Sequence, residues 1–218
     1  MAKSELQSIE FAEFVAVPLP AQQRSREALD RFLLAGETLL ANNAFEEASV
    51  TDIAQSAESS VGTFYRVLGD KDTLSLLLLQ RFFQAKVASI DAITQANQWQ
   101  TRTLDAFISA LIESLVSTYA GRRGVLRALI LRASRDADFR DRVHKLNEYI
   151  AQRVVAVIQS HQQEVHHPKP RKAMQAAVHI LLGALNQHTV TGNLGHLSAK
   201  ELIEELTRMT LSYLDVHQ

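Results

Sequence analysis

A chain of 218 residues, 46% of them hydrophobic, can fill one good-sized core or a small domain joined to a larger one. It contains no cysteine, which excludes a disulfide framework, a thiolate zinc site and a cysteine nucleophile, and fits a reducing compartment. The 23 basic residues against 24 acidic ones point to no polyanion, and 8 glycines and 4 prolines supply too few turns for an all-β fold.

Residues 1–21 hold Glu5, Glu10 and Glu13 against Lys3 alone, the wrong charge for a signal peptide. With Pro18 and Pro20 closing it, this stretch is expected to be a flexible arm. From Gln22 the pattern turns helical, with Ala28, Phe32, Ala35 and Leu39 on one face of a helix ending near Asn42-Asn43. Short elements are predicted at about 50–57 and 60–68, then a long helix from Asp70 past Asp91. Further helices are predicted at about 101–120, 124–133 and 138–161. After a proline-broken connector at 165–171, two more follow at 172–191 and 198–215. The fold class is therefore all-α, with about nine helices. The densest apolar run, Leu74 to Phe83, is interrupted by Ser75, Gln80 and Arg81 and is too short to span a bilayer. The chain is expected to be soluble and cytoplasmic.

The segment from Arg24 to Leu68 has a finer pattern. Ser49-Val-Thr-Asp52 has the form of a capping box, and Val50, Ile53, Ala54 and Ala57 make an apolar face behind it. Glu58-Ser59-Ser60 breaks that helix, and a serine can cap the next one. The second helix is expected to bury Val61 or Phe64, Tyr65 and Leu68, and to stop at Gly69. Two short helices in a tight turn, braced by an upstream amphipathic helix, make a helix-turn-helix, whose second helix fits a major groove. The helix N-termini at Ser49, Ser60 and Asp70 can offer backbone N–H groups to phosphates.

The stretch from Ser49 to Leu74 resembles the N-terminal domain of the TetR/AcrR family of one-component transcriptional regulators. The matches are Ile53-Ala54, Ala57, Ser60, the run Gly62-Thr63-Phe64-Tyr65-Arg66, and Lys71, Asp72 and Leu74. The resemblance implies an N-terminal helix-turn-helix domain at 22–72 and a larger ligand-binding and dimerisation domain at 73–218. It implies phosphate contacts from Ser49 and Thr51, and base-edge contacts at Ser60, Val61 and Gly62, where glycine permits close backbone approach. It also implies backbone contacts from the hydroxyls of Thr63 and Tyr65, a guanine or phosphate contact from Arg66, and a phosphate contact from Lys71. The sequence departs from the family where Glu58-Ser59 replaces the usual Gly-Val, losing a flexible hinge and an apolar plug. It departs again where Val67 replaces a hydroxyl or imidazole donor, and where Leu68 replaces phenylalanine.

In the same family the remaining helices hold a small effector and dimerise through the last two. One apolar stripe here is Ala177, Leu181, Ala184 and His188, and a second is Leu202, Leu206, Met209 and Tyr213. Both are either a homodimer interface or intrachain core. Candidate effector-facing residues on otherwise apolar helices are Trp99, Phe107, Tyr119, Arg127, His144, Tyr149, His179 and Asn186. No pattern among them names a ligand class.

His161, His166 and His167, with Glu164 beside them, read as a solvated loop rather than a metal site. Asp136, Asp138 and Asp141 read as helix-start acids, and Arg122-Arg123 as a solvated loop. No cofactor, metal ligand set or catalytic group can be named, so an enzyme is not expected. The reading is a homodimeric regulator, a repressor released from a palindromic operator on double-stranded DNA by a small effector. Its alternative is a dimeric small-molecule-binding or protein-interaction module with weakened or lost DNA binding. Charge favours the alternative, because residues 22–74 carry five bases against nine acids while residues 75–218 carry 17 against 12.

Overall fold

Amphipathic periods and local caps set nearly every helix boundary. The computed structural model describes residues 22–216, and the arm expected over residues 1–21 lies outside them. Nine α-helices follow in order among the described residues, with no strand: α1 (Gln23–Ala41), α2 (Val50–Ser56), α3 (Val61–Leu68), α4 (Lys71–Ile93), α5 (Leu104–Tyr119), α6 (Arg123–Arg135), α7 (Ala137–Ser160), α8 (Pro170–Thr191) and α9 (Ala199–Leu214). The predicted helices are all present. Side-chain oxygens of Ser49, Ser60, Asp70, Thr103, Asp136 and Ser198 each accept a backbone N–H three residues on, starting α2, α3, α4, α5, α7 and α9. Pro170 opens α8, where its missing N–H costs nothing.

α1 packs on α2, α3 and α4, and Phe64 of α3 meets Phe32 of α1 edge to face at 5.2 Å, both rings fully buried. α4 then continues out of this group to pack on α5, α6 and α7. The larger part is built from α5 on α9, α7 on α8 and α8 on α9. The boundary expected at residue 72 falls in the first turn of α4, which packs on elements on both sides of it.

α6 touches both parts. A Cβ on Gly124 would lie 1.8 Å from the carbonyl oxygen of Leu40, so only glycine lets the start of α6 approach the end of α1 this closely. Ion pairs tie both helices to α4: Arg132 of α6 holds Asp72, and Arg81 of α4 holds Asp30 and Glu37 of α1 at 3.2 and 3.4 Å.

His161 corrects the solvated-loop expectation. It caps α7 and is buried, with Nε2 3.0 Å from the Trp99 carbonyl and 2.9 Å from that of Arg102, and Nδ1 3.0 Å from that of Val157. Glu164 accepts the Leu104 N–H at the start of α5, and the backbone N–H groups of His166 and His167 donate to the end of α9. The connector is a tie between three helices. Of Arg122-Arg123, Arg122 stays in the connection ahead of α6 with its guanidinium over the Phe82 ring, while Arg123 begins α6.

Candidate nucleic-acid interface and ligand cleft

The four-residue turn between α2 and α3 has the hydrogen bonds of a Schellman ending. The Ser59 N–H donates to the Ala54 carbonyl at 2.9 Å and the Glu58 N–H to that of Gln55 at 3.0 Å. Glu58 takes the left-handed position, φ 47°, that glycine fills without penalty, and Ser59 stands where an apolar residue would cover the turn. The turn forms with an unfavourable residue in it.

α3 divides cleanly into two faces. Phe64, Val67 and Leu68 are buried, while Val61, Gly62, Tyr65 and Arg66 are exposed with Ser60 at the cap and Thr63 half-buried. This corrects the expected burial of Tyr65, which is 54% exposed; Val67 supplies the third core contact instead. Val67 is thus a packing residue whose face is turned from solvent, so its lack of a polar group removes nothing from the outer surface. The ring of Tyr65 rests edge-on against Phe64, which aims its hydroxyl end outward from a fixed base.

The three N-termini around this face differ in charge. At α2 the Ser49 hydroxyl and N–H both donate to Asp52, holding its carboxyl below the usual range. At α4 the Thr73 N–H does the same for Asp70. Both helix starts are therefore neutralised by their own carboxylates. α3 has no acid in its first turn; its cap is the neutral Ser60, whose hydroxyl accepts the Thr63 N–H at 3.1 Å and lies 2.9 Å from the Thr63 hydroxyl. Ser49 is committed to its cap, while Thr51 is exposed.

Lys71 is also committed. Its ammonium donates to the carbonyls of Glu46 and Ala48, each at 2.8 Å, and lies over the Phe45 ring. It pins the loop ahead of α2, leaving one of its three N–H groups.

The two stripes on the last helices point inward for the most part. Ala177, Leu181, Leu202 and Leu206 are buried within the chain, Ala184 and His188 are half-buried, and Met209 and Tyr213 are exposed. The outward apolar set is instead Ile180, Met209 and Tyr213, 52%, 55% and 41% exposed, flanking a shallow groove of about 230 Å³ between α8 and α9.

The predicted effector-facing residues do not converge. Trp99, fully enclosed with Phe107, donates its indole N–H to the Ile93 carbonyl at 2.6 Å. Tyr149 donates to Asp91, His179 faces Glu148 at 3.4 Å, Arg127 and His144 are exposed, and Asn186 is half-buried. Tyr119 alone lines a cleft of about 350 Å³ enclosed by α5, the start of α6, α8 and α9. Its walls are Val116, Leu185 and Leu202, with Arg123 and His188 as basic groups and no carboxylate.

Behind Tyr119 stands Lys86 of α4, 4% exposed, donating to the Tyr119 hydroxyl at 2.7 Å. Burial pushes its ammonium down to about 8, and pushes the Tyr119 phenol up. The sequence reading missed Lys86 and Arg123. The signal was present, since Lys86 falls one turn from both Phe82 and Ile90 on a buried face. Among the described residues no group of three or more acidic or imidazole side chains could hold a metal ion, and no helix is long and apolar enough to cross a membrane.

The sequence model described as "Tetracyclin repressor-like, C-terminal domain" matches residues 103–214. Among solved structures, the chain is similar to a transcriptional regulator from Rhodococcus sp. Rha1, at 18% identity, 87% of this chain, 99% of that one and a TM-score of 0.66. It is similar to a TetR transcription regulator from Haloarcula marismortui, at 20% identity, 86% and 96% coverage and a TM-score of 0.62. Salmonella enterica GusR matches at 16% identity, 87% and 96% coverage and a TM-score of 0.62. No curated protein matches the sequence.

Proposed function

Since this chain belongs to the TetR family of transcriptional regulators, we propose that it acts in the cytoplasm as a homodimeric repressor of a near-palindromic operator. The observation that carries this reading is the outer face of α3, where Val61, Gly62, Tyr65 and Arg66 are exposed on a helix whose other side is locked by Phe64, Val67 and Leu68. In this reading residues 22–72 read DNA and the rest binds an effector and the second subunit. Ser60, Val61 and Gly62 face base edges, and Thr63, Tyr65 and Arg66 take backbone or guanine contacts. Thr51 meets phosphate with its hydroxyl and Ser49 through the helix start it caps, while Lys71 anchors the loop beside them and spends its last N–H on phosphate. The exposed Ile180, Met209 and Tyr213 are the apolar centre of the two-fold interface.

An effector that binds better to the conformer in which the two α3 helices are wrongly spaced shifts the population away from the operator. The test is selection of genomic fragments bound by the protein, followed by titration of the enriched fragment. Tyr65→Ala is expected to weaken binding by about tenfold, a loss of roughly 1.4 kcal/mol, with an unchanged melting temperature because the ring is already half in solvent. Equal affinity in both proteins contradicts the assignment. No enriched fragment at all favours a binding module that has lost its operator, the reading to which Glu58 and the acid excess of residues 22–74 belong.

A further inference from the structure

We propose that the cleft between α5, α8 and α9 is a receptor for a small organic anion, a monocarboxylate with an apolar body. This rests on the effector reading above and names the ligand class. Arg123 and His188 are its charged and hydrogen-bonding wall, Tyr119 lines it, and Lys86 reaches it only through its hydrogen bond to the Tyr119 hydroxyl.

Lys86 is nearly enclosed, yet its one hydrogen-bond acceptor is a neutral phenol, and no carboxylate among the described residues pairs with it. An ammonium taken out of water and left with a neutral partner is under-compensated, and an anion brought nearby recovers part of that cost. The Tyr119 hydroxyl accepts a hydrogen bond from Lys86, which leaves its own O–H to donate.

The donors around the cleft suit the same charge. Arg123 uses Nε on the Val190 carbonyl at 2.9 Å, which fixes the guanidinium at the cleft while its terminal nitrogens stay available for a carboxylate. His188 Nδ1 accepts the Leu194 N–H at 3.2 Å, which leaves Nε2 to present a donor as well. The groups lining this cleft therefore offer N–H and O–H donors and no acidic acceptor, against apolar walls of Val116, Leu185 and Leu202. A carboxylate head with a hydrocarbon or aromatic body satisfies both halves, whereas a cation has no partner in it.

The probes are octanoate and benzoate, with octanamide and benzamide as neutral counterparts of the same shape, titrated into the full chain by calorimetry. Carboxylates are expected to bind at least about tenfold more tightly than the amides, the scale of a charge-assisted hydrogen bond. Arg123→Gln is expected to remove that preference while leaving amide affinity unchanged. Lys86→Met fills the same buried volume without a charge, and is expected to reduce carboxylate affinity in the same way. Equal binding of acid and amide, no binding of either acid, or unaltered preference in both variants overturns the proposal. Adding the operator separates the two readings. A carboxylate that binds without releasing DNA supports the anion site and contradicts its effector role. Release by uncharged compounds, with no carboxylate binding, contradicts the anion site and leaves the effector role standing.

Discussion

Gly62 occupies the second position of α3 with only the Ser60 hydroxyl oxygen within 4 Å of where a Cβ would stand. Nothing in the fold requires glycine there, and a glycine inside a helix costs about 0.5–1 kcal/mol relative to alanine. The space beside it is open to a partner that approaches α3 from outside. Gly62→Ala should raise stability by about that amount in urea denaturation while weakening operator binding by about tenfold, some 1.4 kcal/mol. Opposite signs are the signature of a contact surface; a gain in both would place DNA elsewhere. Glu58 is the reverse case. Its left-handed backbone carries a cost of about 1 kcal/mol that glycine avoids, and its carboxylate adds to the acid excess beside α3. Glu58→Gly should shift the urea midpoint upward and tighten binding to any duplex at low salt, the second effect fading as salt rises.

At the scale of elements, helix positions were legible because each has a 3.6-residue apolar period and most have a cap written locally, as at Ser49, Ser60 and Ser198. Facing within a short helix was not. Over eight residues of α3, Tyr65 and Val67 compete for the inner side. The neighbouring Phe32 and Phe64 decide it, a tertiary fact absent from local spacing. His161 escaped for the same reason, since its three carbonyl partners come from α7 and a turn some sixty residues earlier in the chain. Burial alone would lower its pKa, but the carbonyls of Val157, Arg102 and Trp99, with Glu164 nearby, outweigh burial and raise it above 6.5. The folded state thus binds the proton more tightly than the unfolded one. The stabilisation is fully present below about pH 6.5 and is lost as pH rises through the folded value. The gap in urea midpoint between the wild type and His161→Gln should accordingly be widest near pH 5 and narrow by pH 8; a gap independent of pH would mean a neutral ring.

At the scale of the molecule, the split of charge looks different once partners are known. Of the nine acids in residues 22–74, Asp30 and Glu37 pair with Arg81 and Asp72 with Arg132, both bases from beyond residue 74. Asp52 and Asp70 are spent on helix starts. Two bases of the later part thus pair with three of the nine acids, and α3 itself carries Arg66 and no acid. The same contacts make α6 the element that feels both ends, with Arg123 at the cleft and Gly124 against Leu40. Gly124→Ala must force α1 from α6, so it should destabilise the protein by about 1–3 kcal/mol and weaken operator binding even with no ligand present. A variant as stable as the wild type would show that this contact gives way freely.

The outer face of α3, presented twice by a dimer, is proposed to read DNA. Selection from a pool of random duplexes tests it most directly, run in parallel with wild type and Tyr65→Ala. The expected result is a near-palindrome enriched by the wild type, its half-sites centred one helical turn apart or a multiple of it, about 34–36 Å per turn, and little enrichment by the variant. Enrichment of the same sequence to the same degree by both proteins, or of none by the wild type, would contradict it.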